Sequence, residues 1–594
     1  MNTVPVMVAR PSGVARGMRW LCAGVAAAAL AACGNGGSTT GTTPDVAPST
    51  SEASRFLAQA TFGPTDASIA ALTQQTYGAW LADQFAKPQV LHRSYMDEVA
   101  ATLAAIGAST TASNFYESWW TQAVTGPDQL RQRATFALSQ VFVVSFADAT
   151  LGNYPRGVAS YYDMLGEHAF GNYRDLLEAV TLHPMMGSYL SMLRNQKEDA
   201  ASGRVPDENY AREVMQLFSI GLYELNPDGT VKTDANGKPI ETYTQDDISG
   251  LAKVFTGWSW YAGPNLSDRS RSRFFGNFGA GEGLERDWRP MQPYNNYANN
   301  TDFHSASVKT FLGQTIAAQS APDPEGDLKV ALDTLFNHPN VGPFIGRQLI
   351  QRMVTSNPSP AYVGRVAARF NDNGSGVRGD MKAVWSAVLL DPEARAVNLA
   401  DAGYGKLREP VLRLANFLRA FKATSTSGRF LSIDNTDDPA ARLAQTPMRS
   451  PSVFNYFRPG YTPPNSSIAT AGLVSPEMQL ASEVSVAGYL NYLRGWVGVN
   501  ATRDVQQDYS AETALADNPD ALVERVNGLL MAGQMSDALR AQIVASVAGR
   551  VVPAVTQDAG GNVTNQAAID SAQRDRVCIA VFLTMASPDY LTQK

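Results

Sequence analysis

Nothing in this 594-residue chain is apolar for long enough to span a bilayer; the leading run, Trp20–Ala32, falls well short of the roughly 20 residues a transmembrane helix needs. A basic face is also missing. Lys and Arg number 48 against 55 Asp and Glu, a formal charge of −7, which argues against a nucleic-acid footprint. Cysteine is scarce, with three in all, so a hydrophobic core rather than a disulfide framework must carry the fold, and a chain of this length can build one. No GxSxG, Walker A or GxGxxG pattern stands in a fitting context, which argues against a standard serine hydrolase, P-loop enzyme or dinucleotide enzyme. Strand signals are sparse. The clearest is a hairpin around Asn236-Gly237, a dipeptide suited to a type I′ turn.

What is present begins with an address. Arg10, Arg16 and Arg19 precede the Trp20–Ala32 run, no acidic residue occurs in 1–32, and small residues follow, as in a cleaved secretory signal. Leu30-Ala31-Ala32-Cys33 resembles the lipobox of bacterial lipoproteins. Residues 1–32 therefore read as a signal peptide and Cys33 as a lipid-anchored first residue, and the Gly, Ser, Thr and Pro of 33–51 read as a flexible tether. The alternative is an ordinary secretory signal that leaves a cysteine nearby. Gly34 after the cysteine resembles lipoproteins sent to the outer membrane, so the expectation is an exported protein facing the periplasm or the cell surface. Losing the leader leaves 45 basic against 55 acidic residues, about −10. Cys22 would go with the leader and Cys33 to lipid. Cys578, in the apolar VCIAVFL, would remain as a buried, inert thiol without a disulfide partner.

Apolar residues at i, i+3, i+4 and i+7 recur in 52–61, 66–86, 113–145, 158–194, 207–222, 246–257, 326–354, 360–371, 379–389, 405–424, 476–494, 519–550 and 567–587. The fold class expected is mainly α: one large helical domain over 52–594, with a minor β-hairpin. Two long stretches break the pattern, 259–305 and the Pro- and aromatic-rich 425–475. Loops this long in a compact domain are usually binding loops or lids, or else disordered, and their aromatic content favours packing.

The segment Asp207–Gly221 is the most informative. At about 100° per residue, Asn209, Arg212, Glu213 and Gln216 share one helix face, while Tyr210, Val214, Leu217 and Phe218 share another. Asp207 is placed to cap the N-terminus and Gly221 to follow the C-terminus. A buried polar face of this kind could bind a polar ligand or position Glu213 as acid or base and Arg212 against an anion. A solvated face of an ordinary amphipathic helix is the alternative. Thr244-Gln-Asp-Asp247 reads as a capping box. The loop Asn371–Asp380 is not an EF-hand, because Lys382 falls where the bidentate Glu belongs.

The block DENYAREVMQLFSIGLYEL, then YTQDDISGLAKVFTGWSW (243–260) and FHSASVKTFLG (303–313), resembles the signature of the bacterial family called domain of unknown function 1800. Supporting blocks are ASRFLAQATFGPT, LHPMMGSYL (182–190), LFNHPNVGPFIGRQLIQRMV (335–354), YGKLREPVLRL (404–414), PSVFNYFRPGY (451–461) and SPDYL (587–591), so the resemblance covers nearly all of 52–594. It implies an exported, largely helical protein with no agreed catalytic residues. It also implies an exported partner resembling domain of unknown function 1501, a family that looks like the alkaline phosphatase and sulfatase superfamily. The blocks contain His183, Glu213, Asp246, Asp247 and His304, a mix suited to Zn, Fe or Mn. No compact HxxxH or HExxH spacing joins them. Many members carry histidines where this chain reads FALSQVF (136–142).

Three functions follow as expectations. The first is a hydrolase of an extracytoplasmic polar polymer such as a glycan, with Glu213, Arg212, His183 and His304 as catalytic candidates. Asn209, Gln216 and Trp258 would then bind ligand, and the two loops would form the walls. The second is a non-catalytic scaffold for an exported partner, with the loops as interface. The third is a metal-dependent oxidoreductase using His183, Glu213 and His304. The cofactor is left unknown.

Overall fold

In the computed structural model, the residues described are 46–594, apart from 280, 297–300, 397 and 402. The expected signal peptide, Cys33 and most of the tether lie outside them. The first helix, Thr50–Ala60, starts inside the last residues assigned to the tether, because Ser49 and Glu52 close a capping box around its first turn.

The chain is mainly α-helical, with only short antiparallel strand pairs among the described residues. Several of the long periodic segments break into two or three helices, each at a capping residue or proline. The 66–86 segment divides at Thr76, whose side chain caps Tyr77–Ala86. The 158–194 segment divides at Asn172 and again at His183-Pro184. The 519–550 segment divides at Ser536. Periodicity continues through such breaks because consecutive helices bury their apolar sides in the same core. One helix, His92–Ala104, was not expected from the periodicity. Asp163, from a different helix, caps it by accepting the backbone N–H groups of His92 and Arg93, both at 2.8 Å.

Trp119, Trp120, Tyr161, Tyr162, Tyr173 and Trp385 are fully buried at the centre. Helix Val341–Met353 packs against Pro360–Asn371 and, beyond it, Met381–Leu390. The chain ends close to where the domain starts: Thr592–Gln593 pairs with Lys406–Leu407, and the buried Arg55 guanidinium donates to the Lys594 carbonyl. Among the described residues no helix is long and apolar enough to cross a membrane.

The expected hairpin is a double one, with bridges Tyr223–Glu241, Leu225–Val231 and Thr233–Pro239. Its tip is not a type I′ turn. Only Gly237 has positive φ, at 79°, and the Asp234 carboxylate holds the turn by accepting the N–H groups of Asn236 and Lys238. The capping box Thr244–Asp247 forms as read. Cys578 is only partly buried, with its thiol pushed up by burial.

The 259–305 stretch is packed rather than open. Short pairs Trp258–Ser259 with Gln292–Pro293 and Asn295–Asn296 with Thr301–Asp302 brace it. Ala262, Phe274, Tyr294 and Phe303 form their own small core, in which the Phe274 and Phe303 rings stack at 3.8 Å.

Candidate functional site

The residues singled out from the sequence do not converge. His183 ends helix Tyr173–Leu182 and caps Pro184–Tyr189: its Nδ1 accepts the Met185 N–H at 3.3 Å, and the Tyr161 ring stands edge-on to it at 5.1 Å. Burial pulls its pKa down to about 3, so it stays neutral. His304 is fully buried elsewhere, with Nδ1 2.7 Å from the Thr256 carbonyl and Nε2 2.9 Å from Asp327. Lys309, also fully buried, reaches the same carboxylate at 2.8 Å. Burial alone would raise Asp327, but the hydrogen bonds from His304 and Lys309 outweigh it and keep the carboxyl below its usual range. Both ring nitrogens of His304 are thus committed to structure. Among the described residues, no three His, Cys, Asp or Glu side chains gather as metal ligands would. The set His183, Glu213 and His304 therefore does not form a centre: the two histidines are held by partners in separate parts of the fold, and Glu213 gathers with neither.

The Asn209–Gln216 face also divides. Asn209 is exposed, and Arg212 turns outward to pair with Glu208 at 3.3 Å. Glu213 turns inward, where burial raises its pKa against the opposing pull of Arg212, and its Oε2 has no protein partner. Gln216 accepts the Tyr243 hydroxyl at 3.2 Å and reaches a cleft. Trp258 is buried in the core and does not line that cleft.

The cleft, about 450 Å³, is built from segments far apart in sequence. One wall is the ribbon that follows Gly221, with Leu222, Tyr223 and Val231 exposed along it. Gly221 has φ of 73°, and a Cβ there would stand 2.8 Å from the Phe344 ring, so the ribbon meets helix Val341–Met353 closely at this point. The opposite wall is Val453, Phe454 and Arg458–Gly460 of the 425–475 loop. One of the two long loops therefore lines this cleft. The other, 259–305, contributes nothing to it.

The floor is polar and buried. Gln140, Gln348, Gln351 and Arg352 line it, and behind them lie Arg133, Lys406, Glu409 and Glu477, all nearly or fully shielded from solvent. Arg352 donates through Nη1 to the Gln348 carbonyl at 3.3 Å and through Nη2 to that of Gln140 at 2.9 Å; burial lowers its pKa to about 10. Its own carbonyl accepts from Arg133 at 2.6 Å and from Lys406 at 2.8 Å. Lys406 pairs with Glu477 at 3.0 Å, and Glu409 accepts the side-chain amides of Gln140 and Gln445. Several atoms in this group have no protein partner: Gln140 Oε1, Gln348 Nε2, Gln351 Oε1, Arg352 Nε, Glu409 Oε1 and Glu477 Oε2. An unmet buried polar atom costs about 1–3 kcal/mol, so such a concentration beneath one cleft calls for a functional explanation.

The sequence reading missed these residues. Gln348 and Arg352, four apart on one helix, and Gln351 beside them read as a solvated stripe until their neighbours are known. The only available signal was that they and Glu409 fall inside apolar blocks.

A family model described as "Protein of unknown function (DUF1800)" matches residues 55–592. No curated protein and no solved structure matches the chain.

Proposed function

Because the chain belongs to the family described as Protein of unknown function (DUF1800), a description that assigns no activity, we propose that it is an exported lipoprotein, anchored at Cys33, that captures an extracytoplasmic ligand in the cleft above Arg352. The observation that carries this reading is the pairing of apolar walls with a buried polar floor whose side chains are incompletely partnered. Ligand sites are mostly apolar concavities of about 300–1,000 Å³ with a few polar groups that set orientation. Native mass spectrometry of the protein released from its host's membranes tests it. A co-purifying small molecule is expected, and the cleft-filling Val453→Trp should lose it. An empty wild type that takes up nothing from a periplasmic extract would overturn the reading. Labelled palmitate should enter the wild type and not Cys33→Ser; an unlabelled wild type would sink the anchor.

Glu213 favours a second reading, hydrolysis of a polar polymer such as a glycan. Its carboxyl is held towards the protonated form by burial, one oxygen is unpartnered, and it sits one helical turn from Gln216 in the cleft. Glu213→Gln should then abolish turnover while leaving ligand capture intact, and full turnover in that variant would remove this reading.

A further inference from the structure

We propose that the ligand of this cleft is an amphiphilic anion: an apolar chain lying between the ribbon and the 453–460 segment, with an anionic head held by guanidinium groups. This rests on the cleft being the ligand site. Every charged side chain that lines the cleft is an arginine, Arg347, Arg352 or Arg458, and no carboxylate lines it, although the chain as a whole carries −7. Arg347 and Arg458 are exposed at the mouth. Among the described residues neither guanidinium has an ion pair or hydrogen bond; Arg458 only lies over the Phe454 ring at 4.5 Å. By contrast, many other arginines in the chain are paired with carboxylates, as Arg365 is with Asp391 and Arg525 with Asp66. Two unpaired guanidinium groups over an apolar cleft form a site complementary to an anion, which each can grip with two parallel hydrogen bonds.

The floor adds to this. Arg352 is 3 % exposed, makes no ion pair, and keeps Nε unpartnered, so a third cation stands behind the two at the mouth. The apolar share is equally specific. Leu222, Tyr223 and Val231 remain 48, 42 and 45 % exposed on the ribbon, continuous with the inner wall of Leu217, Phe344 and Val453. An apolar chain would cover that strip from the inside of the cleft to its edge, and each methylene buried there would strengthen binding. A bare inorganic anion leaves the strip wet. A neutral alkyl chain leaves the arginines unanswered. A carboxylate-headed and a phosphate-headed chain share the chemistry required.

The full chain held in lipid nanodiscs, with empty nanodiscs as reference, can be titrated calorimetrically with decanoate, decyl phosphate, 1-decanol, acetate and inorganic phosphate. At least one of the two charged ten-carbon probes should bind at least tenfold more tightly than 1-decanol, and the two short anions should give no saturable heat. The tighter of decanoate and decyl phosphate identifies the head group. The double substitution of Arg347→Gln with Arg458→Gln should weaken the charged probe tenfold or more and leave 1-decanol and the melting temperature unchanged. Equal binding of 1-decanol and both charged probes, or unchanged binding in the double variant, overturns the anionic head. No binding of any ten-carbon probe, while the co-purifying mass is still present in wild type and lost in Val453→Trp, overturns the ligand class but leaves the cleft standing. Unchanged probe binding in Val453→Trp overturns both.

Discussion

The two long loops look alike in sequence, each rich in aromatic residues, arginine and glycine or proline, yet the structure uses them in opposite ways. The 259–305 stretch turns its aromatic rings on one another, and among its described residues only glycines take positive φ. The 425–475 stretch lends Val453, Phe454 and Arg458 to the cleft, and six of its non-glycine residues, Phe430, Asp434, Ala444, Met448, Asn455 and Asn465, adopt left-handed backbone. Such conformations cost about 1–3 kcal/mol each and persist only where the surroundings over-determine them. Composition thus marks both segments as packed, but the first spends its packing on itself and the second on shaping a concave wall.

Asp327→Asn should separate the two most sharply. It leaves His304 and Lys309 buried without their shared carboxylate at the end of the first loop, and a broken buried pair costs about 3–5 kcal/mol. Denaturant unfolding should show that loss, while ligand capture by the folded fraction stays at the wild-type level; a capture defect would mean that the first loop supports the cleft after all. Phe303→Ala, which removes one ring of the stacked pair, should cost about 3 kcal/mol in the same assay, again with capture intact.

Acid provides a third comparison, through His183 under the first loop, where the Met291 N–H bonds the adjacent Leu182 carbonyl. The folded pKa values of His92 and His183 are depressed by burial to about 4 and about 3, below the ordinary 6.5. Each histidine's contribution is therefore complete above about 6.5 and is lost as pH falls towards the folded value, by about 1.4 kcal/mol per pH unit. Asp163 opposes them: burial raises its carboxyl to about 7, so its proton stabilises the fold as pH drops from about 7 towards 4. His183→Asn keeps a capping oxygen and should flatten the acid limb of melting temperature against pH; an unchanged slope would show that His183 is not the proton acceptor.

The smallest effect is expected at Asn455, in the second loop, with φ of 62°. Asn455→Val should destabilise by about 1–2 kcal/mol, because a β-branched residue tolerates that backbone poorly. Here, unlike in the first loop, ligand capture should fall as well, and unaltered capture would show that the wall does not depend on this backbone.

The helical class and the capping box at Thr244 are legible because each depends on residues within a turn or two of one another, and aromatic composition marks the long loops as packed without saying against what. The helix His92–Ala104 was not, since its cap, Asp163, comes from another helix about 70 residues away. The candidate site was legible only in part. Of the polar face Asn209, Arg212, Glu213 and Gln216, which sequence alone leaves open between buried and solvated, only Gln216 lines the cleft and Glu213 turns inward. His183 and His304 were read as reactive because their ring chemistry allows it, but burial and existing hydrogen bonds remove that freedom.

What the sequence determined by itself was local: the helical class, the capping box before Gln245–Val254, and the charge and cysteine count. Which of several polar stripes faces a cavity was decided only by tertiary structure. Arg352, Gln348 and Gln140 become a floor because the ribbon after Gly221 and the 453–460 segment, from opposite sides in sequence, close over the same helix. The physical reason is that a polar residue in an amphipathic helix has the same periodicity whether water or a cleft covers it, and only packing by residues more than a hundred positions away distinguishes the two.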